Sequence, residues 1–245
     1  MIKILKENHN TILIFIIPLI LVLIGYWVYR DYGVSLDEEI SRMNGLVSIK
    51  YICELLFPQI AYNFELIKNI PNLESYSDKQ YGTFYEILLI FILEILFEIK
   101  NFSEIIYYRH LLNHFVFIAS VIFFYFLCLQ LFGSKLLSFF GAATLYSSPR
   151  IFADSFYNNK DLIFLSFFIF LIFFSIKYIK KSNYSNAFLL SIFAAIAINL
   201  RIIAFYVGIL IAIFFIIDFL MKNKIDKKKV NTLIFFFILQ FIFLY

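Results

Sequence analysis

The chain has 245 residues, of which 62% are hydrophobic and only 16% charged, with 34 Phe, 17 Tyr and a formal net charge of +4. Soluble domains carry about 25% charged residues, whereas here the apolar residues collect in unbroken blocks long enough to cross ~30 Å of hydrocarbon; a water-soluble globule is excluded. Seven Gly, four Pro and the lack of alternating apolar and polar segments exclude an outer-membrane barrel and a collagen-like or disordered chain, leaving an all-α polytopic membrane protein. Cys53 stands in a polar stretch and Cys128 in an apolar helix, so they give no disulfide or zinc framework. Nucleic acid is not an expected partner.

The first apolar block, residues 11–29, follows Lys3 and Lys6 and exits through Tyr26, Trp27 and Tyr29, too bulky for a signal-peptide cleavage site, so it reads as a signal anchor. A long polar stretch, residues 30–110, comes next. Within it, residues 37–57 form an amphipathic pattern that stops at Pro58. Residues 85–99 are apolar but carry Glu86, Glu94 and Glu98. Each acid costs ~2.5–3.5 kcal/mol on insertion against ~0.3–0.6 gained per Leu, Ile or Phe. The segment is therefore expected to lie in the outer interface, with Glu94 and Glu98 on one face and its acids toward water or protein. Six further spans follow, at 111–132, 136–147, 162–179, 187–200, 202–221 and 230–245. With a cytoplasmic N-terminus, one set of short loops holds Lys135, Lys180, Lys181, Lys222, Lys224, Lys227, Lys228 and Lys229, and the other only Arg150, Lys160 and Arg201. That asymmetry satisfies the positive-inside rule and makes residues 30–110 non-cytoplasmic. The expected architecture is one transmembrane domain over 1–245, with about seven transmembrane helices and a long first outer loop carrying interfacial helices. The last span reads as cut short at Tyr245.

The outer face collects polar residues that spans do not require. Asp37, Glu38 and Glu39 follow the first span after Ser35; they suit a helix N-terminus and equally a catalytic acid, and the two are compatible. Arg109 and His110 open the second span, with His114 one turn on; no Glu or Cys partner has metal-ligand spacing, so no metal is expected. Arg109 suits either an anion or an interface anchor. The stretch from Ser148 to Asp161 is dense in Arg, Lys, Tyr and Asn where a connector needs only turn formers. Arg201 sits between two apolar blocks. Arg109, Arg150, Lys160 and Arg201 on one face suggest a phosphate or pyrophosphate headgroup.

These residues, in order, resemble the GT-C superfamily of membrane glycosyltransferases, in the branch of the protein O-mannosyltransferases and the lipid A aminoarabinose transferase. Gly33-Val-Ser-Leu-Asp37-Glu38 is similar to the acidic motif of the first outer loop, Tyr81-Gly82-Thr-Phe to a later aromatic-Gly step, and Arg109-His110-Leu-Leu-Asn113 to the start of the second crossing. Ser148-Pro149-Arg150-Ile-Phe152 through Ser155-Phe-Tyr157-Asn158-Asn-Lys160-Asp161 is the strongest match, and Leu200-Arg201-Ile202 resembles a later cationic step. The resemblance implies transfer of a sugar from a polyprenyl-phosphate carrier to a protein, lipid or glycan hydroxyl on the non-cytoplasmic side, with inversion and without a cofactor. It makes Asp37 the base, with Glu38 orienting it or the acceptor. Arg109, Lys160, Arg201 and, behind them, Arg150 bind the donor phosphate; Tyr81, His110, Tyr157, Asn158 and Asp161 position substrate. It implies a multi-pass protein among membrane lipids, in the plasma (inner) membrane if the source is bacterial. The alternative is a non-enzymatic lipid-linked saccharide translocator or a membrane scaffold. An enzyme must gather Asp37 and the outer cations around one cavity, whereas a scaffold can leave them scattered.

Overall fold

The computed structural model describes residues 17–59, 64–222 and 226–244. Lys3, Lys6, Lys224, Tyr245 and the opening residues of the expected first span lie outside them. Among the described residues all regular structure is helical, as the composition demands. In chain order the helices are α1 (Ile17–Val28), α2 (Leu36–Leu56), α3 (Glu65–Lys68), α4 (Phe84–Ile90), α5 (Phe102–Phe132), α6 (Lys135–Ser147), α7 (Pro149–Tyr157), α8 (Asp161–Lys180), α9 (Tyr184–Leu200), α10 (Phe205–Lys222) and α11 (Lys227–Leu244).

Local chemistry sets several of these boundaries. The Asn101 side chain accepts from Ser103 N at 2.9 Å to start α5, which ends where Gly133 turns left-handed at φ 66°. Pro149 opens α7, where its missing N–H is no loss. The Asn183 side chain accepts from Asn186 N at 2.8 Å to start α9.

The largest core lies between α8, α9, α10 and α11, around Leu171, Tyr178, Leu190 and Phe236. Ala187, Ala194 and Ala197 on α9 are fully or almost fully buried in it, and such small side chains let apolar helices approach closely without help from the hydrophobic effect. Tyr178 and Thr232 hydrogen-bond inside this core at 3.0 Å. α5 packs on α6, α7 and α8 through Phe117, Val121, Ala142 and Leu162.

Over one end of the bundle lies a separate layer made by α2, α3 and α4, with Leu46, Ile49, Ile67 and Ile90 at its centre. α2 and α4 touch so closely at Gly45 that a Cβ there would stand 2.6 Å from Ile90 and 2.9 Å from the Glu86 Cβ. Tyr85 and Leu89 of α4 insert against Ile163 of α8 and fasten the layer to the bundle. Segments expected on one side of the membrane meet at this end: Lys160 reaches Asp37 and Tyr81, and Arg201 reaches Asp161. At the other end, Lys180 donates to Gln130 O at 3.2 Å.

Among the described residues, three helical segments are long and apolar enough to cross a membrane unaided: Phe102–Phe132, Asp161–Lys180 and Ile202–Met221. Ile17–Val28 and Tyr184–Leu200 are shorter apolar helices. α6 has 13 residues, about 20 Å at 1.5 Å per residue, and it stops at the Ser148-Pro149 break. α5 starts nine residues earlier than the expected span; its 31 residues reach about 46 Å and carry Arg109 and His110 into the layer over the end of the bundle.

The expected interfacial helix at 85–99 also differs in detail. α4 widens into a π-helical stretch, Phe91–Leu96, and the helix ends before Glu98, which is exposed at φ 51°. Glu94 and Glu98 therefore do not share a helical face. Glu86 and Glu94 turn into protein, because Arg109 and Arg42 neutralise them there.

With Cys53 and Cys128 replaced by Ser, a cysteine at Ser77 should react with an impermeant thiol reagent from the non-cytoplasmic side, and one at Ser182 only after the membrane is opened. Equal labelling of both in sealed vesicles would overturn the expected topology.

Candidate functional site

The N-terminus of α2 divides its acids. Glu38 is fully buried: one carboxylate oxygen accepts from Ser35 N at 2.8 Å, closing the first turn, and the other lies 2.8 Å from His110 Nε2. His110 Nδ1 in turn meets Tyr29 O at 3.3 Å. Glu38 thus ties α2 to α5 and to the end of the first helix. Asp37, one residue earlier, points outward; its side chain is 70% exposed and Oδ1 stands 3.8 Å from Lys160 Nζ. Lys160 also lies over the Tyr81 ring, 4.9 Å from its centroid, a cation–π arrangement that fixes the ammonium.

Tyr81 is held by its neighbour. At Gly82 the backbone passes so close to α9 that a Cβ would fall 1.6 Å from Asn199 O, and Phe84 N donates to Asn199 Oδ1 at 3.0 Å. The aromatic-Gly step therefore docks the segment ahead of α4 on the end of α9, two residues before Arg201. Arg201 and Lys160 line one cleft together with Tyr81, Gly82, Tyr85 and Glu86. The remaining walls come from Leu200, from Ser41 and Asn44 of α2, and from Asn159. Its enclosed part is small, about 20 Å³.

Behind the cleft lies a buried ion pair. Arg109 of α5, 1% exposed, binds Glu86 of α4, and Asn159 donates to the other Glu86 oxygen at 2.7 Å. Arg109 Nε and Nη1 have no partner. Tyr85 donates to Asn113 Oδ1 at 2.8 Å, and Asn113 donates to Phe156 O at 2.8 Å. Burial, with Glu86 alongside, pushes the Tyr85 phenol far above its ordinary range, so it stays a neutral donor. His114 turns away from His110: its Nδ1 meets Ser155 Oγ at 2.7 Å and its ring stacks on Phe156. Among the described residues no three His, Cys, Asp or Glu side chains converge as metal ligands.

Of the residues singled out in the sequence, Asp37, Lys160, Tyr81 and Arg201 come together at or around the cleft, with Asp161 bound to Arg201. Asn158 caps α8 by accepting from Asp161 N at 2.9 Å. Arg150 stands apart, its side chain 92% exposed and 3.7 Å from Asp154. Tyr157 hydrogen-bonds Asp154, which raises its phenol pKa, and its ring lies 6.0 Å from Tyr32. Ser41, Asn44, Glu86 and Asn159 were not among the expected site residues. The signal for the first two was present: Asp37, Ser41 and Asn44 follow i, i+4, i+7, one helical face. Glu86 and Asn159 have no local signal, since each acquires its role from a residue distant in sequence.

A bundle of apolar helices with a polar cleft at one end defines an all-α membrane protein. Residues 87–245 match the dolichyl-phosphate-mannose-protein mannosyltransferase family, well over half of the chain, and the protein belongs to that family, of GT-C type, whose members use polyprenyl-phosphate sugar donors. The acidic residues of α2 lie ahead of the matched stretch. No curated protein and no solved structure matches the chain.

Glu86→Ala should cost about 3–5 kcal/mol of stability, because it removes the acid in direct contact with the buried Arg109 guanidinium. Thermal unfolding in detergent measures this, and the added change Arg109→Met should restore part of the loss. An unchanged midpoint in the single variant would show that the pair does not hold the outer layer.

Proposed function

We propose that the protein transfers a sugar from a polyprenyl-phosphate carrier to an acceptor hydroxyl on the non-cytoplasmic side, inverting the anomeric carbon, with Asp37 as general base. The observation that carries this reading is the approach of Asp37 to Lys160, 3.8 Å apart, at a cleft that Lys160 shares with Arg201. The acceptor oxygen attacks the anomeric carbon, its proton passes to Asp37, and the bond from that carbon to the phosphate oxygen breaks with its electron pair going to phosphate. Negative charge then grows on the leaving group, where fixed cations lower the barrier most.

Both cations are poised for exchange. The Asp37–Lys160 and Arg201–Asp161 pairs involve largely exposed acids, at 70% and 65%, and such pairs contribute only about 0–1 kcal/mol. The donor phosphodiester, a monoanion whose second charge develops as the bond breaks, competes with such weak pairs, and Arg201 can grip two of its oxygens. Release of Lys160 toward phosphate leaves Asp37 free to take a proton.

In this scheme Glu38 is a positioning residue: by holding Ser35 N and His110 it sets the first turn from which Asp37 projects. Arg109 acts at one remove, orienting Asn159 beside Lys160 through Glu86. Tyr81 supports Lys160, and Asp161 holds Arg201 until the donor arrives. Arg150, Tyr157 and Asn158 shape the outer connector. The approach of Asp37 to Lys160 beside the cleft favours an enzyme over a translocator or scaffold, which needs no base opposite the phosphate.

Asp37→Asn should leave the protein inserted and lower transfer from a polyprenyl-phosphate sugar by about 10²–10⁴; unchanged turnover would remove Asp37 from the chemistry. Arg201→Lys should weaken donor binding markedly, since an ammonium lacks the two-pronged fork, whereas Arg150→Lys should have little effect. Donor titration in detergent micelles measures both, and normal donor binding by Arg201→Lys would return Arg201 to the role of an interface anchor.

A further inference from the structure

Three residues that line the cleft each hold a deeply buried side-chain oxygen without a hydrogen-bond partner: Ser41 Oγ, Asn44 Oδ1 and Asn159 Oδ1. Their residues are only 2%, 4% and 2% exposed. A buried polar atom without a partner is costly, and most find one; three in the wall of one cavity mark a place prepared for a ligand or for ordered water.

The chemistry of the wall restricts the ligand. The orientation of the Asn159 amide is set by Glu86, because a carboxylate can only accept and so takes the amide N–H. The Asn159 carbonyl is therefore the atom left over. Asn44 offers a carbonyl too, and Ser41 a hydroxyl that accepts as readily as it donates. The lining asks for O–H or N–H donors. Lys160 and Arg201 share the cavity and disfavour an ammonium, and Glu86 is already neutralised by Arg109. A neutral hydroxyl group satisfies the set. The size agrees: about 20 Å³ of enclosed space admits one water-sized group, a single hydroxyl or hydroxymethyl arm and not a sugar ring.

Building on the transfer reaction proposed above, we infer that this cavity reads one hydroxyl-bearing arm of the transferred sugar, with Ser41, Asn44 and Asn159 as the residues that determine donor specificity. The arm belongs to the donor, not the acceptor. The cavity adjoins the cations that hold the phosphate, to which the donor sugar is attached, while Asp37 does not line it.

The test separates binding from turnover. A non-transferable phosphonate analogue of polyprenyl-phosphate mannose and its monodeoxy forms are titrated against the full chain in detergent. The wild type should bind one deoxy form roughly five- to tenfold more weakly than the parent, the scale of one neutral hydrogen bond. Ser41→Ala and Asn44→Ala should bind the parent more weakly by a similar factor and no longer distinguish that deoxy form. Ser41→Ala removes an unpartnered hydroxyl, so the ligand-free melting temperature should hold or rise; a purely structural serine would instead lower it. If Asn44→Ala fails to fold, Ser41→Ala decides alone. Asp37→Asn should keep the discrimination in binding while losing turnover. Equal discrimination by wild type and Ser41→Ala, or no binding of the parent by wild type, overturns the inference even if transfer activity is present. Retained discrimination with no transfer from any donor would instead leave the pocket standing and overturn the enzymatic reading.

Discussion

The Arg109–Glu86 pair is the interaction on which the outer half of the molecule depends. Its members come from α5, the longest helix, and α4, part of the layer laid over the bundle, and Asn159 joins from the connector ahead of α8. Two opposite charges removed from water repay their desolvation only when geometry and further hydrogen bonds are good. Once formed, however, loss of either partner leaves a charge that the surroundings cannot solvate. The pair therefore fixes the distance between layer and bundle, and with it the width of the cleft.

A second division of labour follows at the start of α2. Two adjacent acids have opposite environments, since successive helical residues point about 100° apart. Glu38 turns inward to Ser35 N and His110 and is fully buried; Asp37 turns outward and is mostly exposed. The buried acid gives rigidity to the backbone from which the exposed one projects. Gly82 makes the matching contribution across the cleft, because the close approach of its backbone to Asn199 holds Tyr81, and hence Lys160, at a set height above α9.

Much of this was legible in the sequence. Unbroken apolar blocks gave the helical membrane class, the break at Pro58 closed α2, and the order of short motifs pointed to the family. Asp37, Lys160 and Arg201 stood out because ionisable groups at the membrane edge are expensive. What was not legible is pairing at long range. Arg109 reads from sequence as a cation for phosphate, yet its nearest charge is an acid 23 residues away in a helix that only folding brings alongside. Glu94, expected to face water or protein, meets Arg42, 52 residues distant, a partner that no local pattern announces. The inner length of α4 was misjudged for a related reason: the π-helical widening shifts the register, so i, i+4 counting fails beyond Phe91.

The length of α8 carries a consequence of its own. Its 20 residues span about 30 Å, close to the hydrocarbon thickness of an ordinary bilayer, with Asp161 at one end and Lys177 and Lys180 at the other. Arg201, at the end of α9, reaches Asp161, so the cation shares this end of α8. A bilayer only a few ångströms thicker would draw that end of α8 below the interface unless the helix shifted or the lipid thinned around it, at a cost of fractions of a kcal/mol per ångström. Membrane thickness is in this way a parameter of the site itself: the acyl-chain length of the surrounding lipid tunes how far Arg201 and its neighbours stand in water.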